Sequence, residues 1–356
     1  MNSTLAKLSL VATAIVTSVS FVTAQSTATI VSNKDTTLYE DATGSLANGG
    51  GSGMFCGRVG GGGSFGIRRT MIQWDVAGSI PAGAKILTAS LDMWVEQSSA
   101  FLPITTEVHR ITTDWSEGNV VAPSGQGFGG TASAGESTWL HSNFPSQLWN
   151  TPGGDFGPTS FTFQLPGIAA FVTESNASIV ADVQSMLDNP AANYGWLLKT
   201  AEVLTSNARK MNTREAAAFQ PKLVITYLAP GEVANYGVGW PVNGGTFQLD
   251  ISGTANGGAV LPITWTNAPT PSLGANFFSI GYDPIGTTLL PGSKFYLPLL
   301  GPHVPGLTLL VSGGAASSSF TVPAGFPGFL IAVQGVALDA TPLSISMSNA
   351  GLIWTN

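Results

Sequence analysis

The chain has 356 residues, a length that corresponds to about two domains of roughly 150 residues each. Only 9% of its residues are charged, compared with about 25% in an average soluble domain, and 44 residues are glycines. The formal net charge is −7, and the few Lys and Arg residues are scattered, which excludes the basic clusters that a nucleic-acid partner or an anionic membrane needs. This composition is typical of many short strands and turns, and it predicts an all-β protein.

The N-terminal residues 1–24 have the layout of a secretory signal peptide. An apolar run, LSLVATAIVTSVSFV, follows Lys7, and Val22-Thr23-Ala24 supplies the small residue at the cleavage position. We therefore expect cleavage before Gln25 and a mature protein that is secreted, either extracellular or at the cell surface. A membrane anchor is the less favoured interpretation, because the run contains Thr and Ser and is short for a span of about 20 residues.

Cys56 is the only cysteine, so no disulfide can form within the chain and stability must come from packing. We expect Cys56 to be a small buried residue, and an intermolecular or reactive thiol is the alternative. A bound metal would help such a domain. The segment NKDTTLYED offers oxygen ligands, and its Asp35 and Asp41 are candidate calcium ligands, although the spacing of an EF-hand is not present. No other cofactor is expected.

Several segments alternate apolar and polar residues with the period of a strand. MIQWDV and LTASLDMWVE both do so, and the second directs to one face Leu87, Ala89, Leu91, Met93 and Val95. KLVITY is a further strand, rich in β-branched residues. The one segment with helical spacing is ASIVADVQSMLDNP, whose apolar face contains Ile179, Val183, Met186 and Leu187 and which Asn189-Pro190 terminates.

Trp94 lies on the polar face of the LTASLDMWVE strand, between Asp92 and Glu96. An uncovered tryptophan at this position would form a flat surface on an open sheet, against which the ring of a sugar can stack. The favoured interpretation is that a long insertion of the chain folds over it. Trp94 is therefore a candidate ligand-binding residue whose exposure decides its role.

The insertion contains the stretch TWLHSNFPSQLWNTPGGDF, residues 138–156, which has neither helical nor strand period. Its candidate ligand-binding residues are Trp139, His141, Trp149 and Asp155. Tryptophans stack on sugar faces and also fill the ends of β-sandwiches, and an irregular segment this apolar must be packed down to avoid exposing several large rings. We expect structural packing first, contact with a sugar or a partner second, and catalysis last.

A change in composition divides the chain near residue 230. Residues 25–229 contain 16 acidic and 11 basic residues, whereas residues 230–356 contain four acidic residues and one basic residue, Lys294. Pro230-Gly231 follows a predicted strand and is typical of a turn or linker. We predict a β-sandwich with one short helix over residues 25–229 and a second, smaller β-sandwich, rich in glycine and proline, over residues 230–356.

Residues 30–228 resemble the DNRLRE module, a family that is similar to a group of carbohydrate-binding modules. The resemblance is carried by DTTLYED at Asp35, TDWSEGN at Thr113, NTREA at Asn212 and FQPKLVITY at Phe219. It implies a jelly-roll-like β-sandwich that is usually non-catalytic and binds sugars in some members. The segments GTFQLDISG and LIAVQGVALDATPLSISMSNAGLIWT resemble the C-terminal domains of planctomycete-type secreted proteins, which implies a small β-sandwich with no established chemistry.

Catalysis is not expected from the sequence. Two carboxylates for glycoside hydrolysis could be drawn from Asp114, Glu117, Glu136 and Asp155, but no motif pairs them, and the metal-binding spacing H-E-x-x-H does not occur. The sequence predicts a secreted, non-catalytic protein of the cell surface or extracellular matrix whose first domain binds a polysaccharide or another surface polymer. A purely structural or adhesive protein without a small ligand is the alternative, and a polysaccharide-acting hydrolase or lyase comes third.

Overall fold

The computed structural model describes residues 25–60, 66–203, 206–242, 245–340 and 343–356. The predicted signal peptide, residues 1–24, lies outside the described residues. Short strands dominate the described chain and pair in an antiparallel manner, which confirms the all-β sandwich class predicted from the sequence. Neither of the two described α-helices has the length and apolar character of a membrane span.

We refer to residues 25–229 as the N-terminal unit. Its described strands are β1 (Ser26–Val31), β2 (Lys34–Tyr39), β3 (Leu46–Ala47), β4 (Gly53–Arg58), β5 (Ile67–Gln73), β6 (Lys85–Ser98), β7 (Ile104–Ile111), β8 (Gly130–Thr131), β9 (His141–Asn143), β10 (Gln147–Leu148), β11 (Phe156–Leu165), β12 (Ala170–Glu174), β13 (Trp196–Thr200), β14 (Arg209–Asn212) and β15 (Lys222–Leu228). Its helices are α1 (Val76–Ser79), α2 (Ala177–Asp188) and a 3-10 turn at Pro190–Ala192.

Most of these strands form two packed sheets, whereas β3 pairs only with β8 and β9 only with β10. The first sheet has the order β1-β15-β6-β14-β4 with β12 also paired to β6, and the second has the order β5-β13-β7-β11 with β2 also paired to β5. The end of β4 pairs with the start of β5, so the sheets are continuous at that point. Alternation along β6 directs Leu91, Met93 and Val95 into the core between the sheets, as the sequence predicts, while Trp94 lies on the outer face.

Helix α2 packs against this core. The side chain of Asn176 accepts a hydrogen bond from the backbone N–H of Ile179 at 3.0 Å and so caps the helix. The predicted apolar face is buried, and its members are Ile179, Val183, Met186 and Leu187. The single turn α1 was not predicted. It follows β5 directly, and the Asp75 carboxylate caps it by accepting from the N–H of Gly78 at 2.9 Å.

We refer to residues 230–356 as the C-terminal unit. Its described strands are β16 (Val233–Tyr236), β17 (Pro241–Val242), β18 (Gly245–Thr246), β19 (Gln248–Ile251), β20 (Val260–Thr266), β21 (Ser272–Ile280), β22 (Thr287–Leu290), β23 (Ser293–Phe295), β24 (Val304–Pro305), β25 (Leu309–Val311), β26 (Ala316–Thr321), β27 (Leu330–Ala340) and β28 (Leu343–Trp354). A sheet of order β16-β28-β27-β21-β24 and a sheet of order β19-β20-β26 share a second apolar core, in which Trp265 is buried.

The two units meet through a small apolar cluster. Its buried members are Leu87, Leu228, Ala234, Leu297, Leu330, Ala332 and Leu352. Two side chains of the C-terminal unit also donate hydrogen bonds across the junction, from the Tyr282 hydroxyl to Leu87 O at 3.0 Å and from Trp354 Nε1 to Gly83 O at 2.9 Å. All strand pairs of the described residues lie within one unit or the other. Division into two independently folding domains at residue 230 stays a prediction.

Candidate functional site

Three carboxylates from distant parts of the sequence converge in the N-terminal unit. Asp35 lies on β2, Glu117 lies in the insertion after β7, and Glu215 lies in the loop between β14 and β15. One oxygen atom from each carboxylate lies within 4.8 Å of the others. We call these three residues the carboxylate cluster. Each comes from one of the segments on which the family resemblance depends: DTTLYED, TDWSEGN and NTREA.

Arg214 provides the positive charge beside this cluster. Its Nε donates to Glu117 Oε1 at 2.9 Å and its Nη2 donates to Glu117 Oε2 at 2.6 Å. The same Nη2 lies 3.0 Å from Glu215 Oε1. The hydrogen bonds to Glu117 are the main reason that the pKa of the Arg214 guanidinium is raised. One guanidinium therefore serves two carboxylates and ties the insertion to the loop between β14 and β15.

Asp35 is the fully buried member of the cluster, with 0% of its surface exposed. Its Oδ2 accepts hydrogen bonds from Ser32 Oγ at 2.8 Å and from the backbone N–H of Arg214 at 3.0 Å. Within the described residues, neither Asp35 Oδ1 nor the buried Glu215 Oε2 has a hydrogen-bond partner. Burial raises the pKa of Asp35 to about 7, opposed by these hydrogen bonds and reinforced by the charges of Glu215 and Glu117. Burial also raises the pKa of Glu215.

Asp41, the second predicted calcium ligand, lies outside the carboxylate cluster. Its Oδ2 accepts hydrogen bonds from the backbone N–H of Ser45 at 3.0 Å and from Thr43 Oγ1 at 2.6 Å, so it holds the turn after β2. Glu40 beside it accepts from the backbone N–H of Gly66 at 2.7 Å. The structure therefore separates the two predicted ligands and brings Asp35 together with Glu117 and Glu215 instead.

A second feature is a group of three aromatic rings on the outer face of the first sheet, which we call the aromatic face. It consists of Trp94, Phe171 and Phe219. The ring centroids are 4.7 Å apart for Trp94 and Phe171, 5.0 Å for Trp94 and Phe219, and 4.9 Å for Phe171 and Phe219. Phe171 is 60% exposed and Phe219 is 51% exposed, and the half-buried Trp94 lies between them.

Strand pairing and a strained loop residue position these rings. Phe171 of β12 lies directly opposite Trp94 of β6 in the ladder. Phe219 follows β14 in the loop to β15 and has a φ of 57°, a left-handed conformation that costs a residue with a side chain about 1–3 kcal/mol. Asn212 holds this loop, because its Nδ2 donates to Ala218 O at 2.8 Å. The fold thus keeps the Phe219 ring beside Trp94 in spite of the backbone cost.

Clefts lie on both sides of the aromatic face. A cleft of about 300 Å³ is lined by Trp94 and Phe219 together with Ser52, Glu96, Asn212 and Ala216–Ala218. A cleft of about 520 Å³ is lined by Phe171 together with Pro103, Thr162–Gln164, Pro166 and Val172–Glu174. The aromatic face therefore contributes to both clefts, through Trp94 and Phe219 to the first and through Phe171 to the second.

Charges of both signs flank Trp94 on this sheet. Lys210 Nζ lies 2.8 Å from Glu96 Oε2, two residues along β6 from the tryptophan. On the other side of Trp94, Asp92 lies opposite Lys222 in the ladder between β6 and β15. The rings are therefore bordered by two acidic and two basic side chains.

The aromatic part of the insertion packs on the second sheet, whereas its residues 124–128 reach the outer face of the first sheet beside Phe55 and Lys210. Its Trp115 and Trp149 pack with Leu38, Met71 and Leu197, which project from the outer face of the second sheet. The favoured expectation was that the insertion folds over Trp94. The structure instead places Phe171 and Phe219 beside Trp94 and leaves the aromatic face open.

The aromatic candidates of the insertion take part in packing. Trp149 is buried, and its Nε1 donates to Thr138 O at 2.9 Å. Trp139 is half-buried and lies under the guanidinium of Arg69, whose Cζ is 4.9 Å from the ring centroid. His141 is half-buried, and its Nδ1 lies 3.0 Å from Thr138 Oγ1.

Asp155 is buried and organises the end of the insertion. Its Oδ2 accepts from Thr113 Oγ1 at 3.0 Å and from the backbone N–H and Nδ2 of Asn150 at 3.0 Å and 2.9 Å. Its Oδ1 accepts from the backbone N–H of Thr151 at 3.0 Å. Both oxygens are therefore bonded within the protein, unlike Asp35 Oδ1.

The remaining acids considered for glycoside hydrolysis have separate structural contacts. Asp114 is exposed, and its Oδ1 lies 3.6 Å from Lys34 Nζ. Glu136 is fully buried, and its Oε1 accepts from the backbone N–H groups of Asn119 and Val120 at 2.6 Å and 2.7 Å. These contacts hold the early part of the insertion in place.

Comparisons with known proteins give no family assignment. No protein-family model matches the chain, and no curated protein matches it. Solved structures with a weak likeness include a β-glucuronidase from Parabacteroides merdae, at 9% identity and a TM-score of 0.17, and a β-1,2-glucanase from Parabacteroides distasonis, at 11% identity and a TM-score of 0.17. The alignments cover 90% and 93% of this chain but only 36% and 37% of those proteins. A likeness at this level supports no conclusion about function.

Sequence reasoning identified Trp94 and Asp35 but missed their partners. Phe171 and Phe219 belong to segments in which no alternation marks them as outward-facing. Glu215 and Arg214 lie in NTREA, and the resemblance of this segment to the DNRLRE module implies no role for either residue. The joint presence of DTTLYED, TDWSEGN and NTREA was the available indication that these acids meet.

Proposed function

We propose that the N-terminal unit is a carbohydrate-binding module that holds a polysaccharide against the aromatic face, and that the protein is a secreted, non-catalytic component of the cell surface or extracellular matrix. The observation that supports this most strongly is the mutual contact of Trp94, Phe171 and Phe219 on the outer face of the first sheet, where both phenylalanine rings are more than half exposed. The resemblance to the DNRLRE module agrees with this proposal.

The aromatic face has the physical properties that sugar stacking requires. One face of a pyranose ring presents C–H groups, and burying such apolar surface contributes about 25 cal/mol per Å². Adjacent exposed aromatic rings on an otherwise polar surface mark an interaction site. The ladder partner of Trp94 and the strained loop hold the rings in place before binding, which lowers the entropic cost of binding. The clefts on both sides give a chain of several sugars room to continue beyond the rings.

The charge pattern favours an uncharged polysaccharide. Of the two acids beside Trp94, Glu96 pairs with Lys210 at 2.8 Å, and Asp92 has Lys222 opposite it in the ladder. The chain as a whole has a formal net charge of −7, which repels polyanions at low ionic strength. A neutral polymer meets neither the repulsion nor the cost of separating the Glu96–Lys210 pair.

Native affinity electrophoresis of the full chain tests the proposal. Gels would contain neutral β-linked glucans, xylans and mannans in one series and uronate polymers in a second. We expect at least one neutral polymer to retard the protein in proportion to its concentration in the gel. Retardation by uronate polymers alone would overturn the preference for neutral chains, and free migration in every gel would overturn carbohydrate binding.

A structural or adhesive protein without a small ligand is the second candidate function. The observation that favours it is the surface of the C-terminal unit, where several large apolar side chains are more than half exposed, among them Ile285, Leu300, Leu307 and Leu310. Free migration in every polysaccharide gel, together with adsorption to a hydrophobic surface that a nonionic detergent reverses, would support this second function.

A further inference from the structure

We propose that the carboxylate cluster, Asp35, Glu117 and Glu215, binds one hard divalent cation, and that this cation is Ca²⁺. The proposal replaces the predicted ligand pair Asp35 and Asp41, because Asp41 serves a local turn. It does not depend on the proposed carbohydrate site.

Two buried oxygens without partners point to a ligand. Asp35 has no exposed surface, yet within the described residues its Oδ1 accepts no hydrogen bond. Glu215 Oε2 is likewise buried without a partner among those residues. A buried carboxylate oxygen that is neither hydrogen-bonded nor coordinated destabilises the fold. One oxygen of each carboxylate lies within 4.8 Å of the others, and a cation bound there would remove this cost by taking Asp35 Oδ1 and Glu215 Oε2 as ligands.

The balance of charge also fits a divalent cation. Three carboxylates meet a single guanidinium, that of Arg214, which is bonded to Glu117 and Glu215. Lys34, the neighbour of Asp35 in sequence, directs its Nζ to Trp115 O at 3.0 Å and to Asp114 at 3.6 Å. The cluster therefore retains two negative charges when all three acids are ionised, and one divalent cation neutralises them.

The donor atoms select the kind of ion. The cluster offers only carboxylate oxygens, the ligands of hard cations, and no nitrogen or sulfur that would favour zinc or copper. Mg²⁺ requires near-ideal octahedral geometry, whereas Ca²⁺ accepts six to eight oxygens in irregular arrangements and completes its shell with water. Glu117 and Glu215 are already oriented by Arg214, and such constrained ligands suit the more tolerant ion.

Binding of the cation would connect three segments of the N-terminal unit that are distant in sequence. Asp35 belongs to β2, Glu117 to the insertion, and Glu215 to the loop between β14 and β15. Four residues after Glu215, the same loop carries Phe219 of the aromatic face. We therefore expect the cation to stabilise the loop that presents Phe219. This last step rests on the proposed function, whereas cation binding does not.

Titration of the EDTA-treated and dialysed full chain with CaCl2 tests the proposal in the absence of any sugar. Isothermal titration calorimetry should give about one Ca²⁺ per chain, and the melting temperature should rise with added CaCl2. Asp35→Asn preserves shape and removes one charge, and we expect it to weaken calcium binding by about tenfold or more. Asp41→Asn is the matched control from the same segment, and its affinity should equal that of the unchanged protein.

Glu215→Gln provides a second variant in a partly exposed loop, in case Asp35→Asn does not fold by circular dichroism. It should also weaken calcium binding by about tenfold or more. The proposal would be overturned if CaCl2 gave the unchanged protein no calorimetric heat and no shift in melting temperature. Equal losses of calcium affinity in Asp41→Asn and Glu215→Gln would also overturn it. Binding of MgCl2 with no response to CaCl2 would overturn the assignment of the ion as calcium.

Discussion

The Arg214 guanidinium donates two hydrogen bonds to the Glu117 carboxylate, from Nε to Oε1 at 2.9 Å and from Nη2 to Oε2 at 2.6 Å. The two residues are 97 positions apart in the chain. Their contact joins the insertion, which covers the second sheet, to the loop that carries Phe219 beside the first sheet. The paired geometry is specific to a planar guanidinium facing a carboxylate.

Replacement of Arg214 should destabilise the N-terminal unit. Arg214→Met leaves the mostly buried Glu117 carboxylate without its cation, and we expect the free energy of unfolding to fall by about 1–3 kcal/mol. Arg214→Lys should lower the free energy of unfolding less, because lysine keeps the positive charge but lacks the planar pair of donors. Lys199→Met is the control, since Lys199 Nζ lies 3.9 Å from Glu107, and this looser pair should contribute at most about 1 kcal/mol. Denaturant unfolding measures all three. Equal effects of Arg214→Met and Lys199→Met would contradict the role given to Arg214.

Trp149 should contribute to stability. It is buried and donates from Nε1 to Thr138 O at 2.9 Å, so Trp149→Ala should lower the free energy of unfolding by about 3–5 kcal/mol. Trp139→Ala should lower it less, because Trp139 is only half-buried. Thermal melting of both variants tests whether Trp149→Ala is the more destabilising change. A Trp149→Ala variant that melts like the unchanged protein but no longer binds polysaccharide would show that the binding surface lies in the insertion.

Replacement of Phe219 should affect stability and polysaccharide binding in opposite directions. Its φ of 57° suits Asn far better than Phe, so Phe219→Asn removes backbone strain of about 1 kcal/mol or more while it deletes an exposed ring. We expect an unchanged or higher melting temperature together with weaker retardation in polysaccharide gels. Phe171→Ala, which deletes the other exposed ring at an ordinary strand position, should weaken binding without the gain in stability. A large fall in the melting temperature of Phe219→Asn would indicate that the ring supports the core instead.

The fragment of residues 25–229 should fold without the C-terminal unit. Its core and all its described strand pairs lie within those residues. Removal of the C-terminal unit uncovers Leu87 and Leu228, so the fragment should associate more readily than the full chain. Circular dichroism and size-exclusion chromatography measure the two properties. A fragment with the spectrum of an unfolded chain would show that the junction is part of one cooperative domain.

The spacing of apolar residues along the sequence predicted much of the fold. The alternation from Ala89 to Val95 identified the strand and its core-facing side, whereas Leu87, predicted on the same face, packs at the junction with the C-terminal unit. Helical spacing identified α2 with its four buried residues. Those patterns are local, because side chains on one face recur every two residues in a strand and every three to four residues in a helix. The short turn α1 has no repeat of its own, since it depends on a single cap at Asp75.

The candidate sites depended on contacts that no local pattern encodes. Asp35 and Asp41 are close in sequence and both acidic, yet the turn after β2 directs Asp41 to Thr43 and Ser45. Asp35 instead meets acids from loops that are brought together by the closure of the sandwich. Trp94 could be placed on the polar side of β6, but its neighbours follow from the pairing of β6 with β12, which the sequence alone did not reveal.

Affinity electrophoresis of Trp94→Ala tests the central claim most directly. The variant would be run beside the unchanged protein, in gels containing the neutral polysaccharide that retards the unchanged protein most. Phe326→Ala is the matched control, because it removes a ring of the C-terminal unit that is 56% exposed and lies outside the aromatic face. We predict that Trp94→Ala migrates freely while Phe326→Ala is retarded like the unchanged protein. Retardation of Trp94→Ala equal to that of the unchanged protein would contradict polysaccharide binding at the aromatic face.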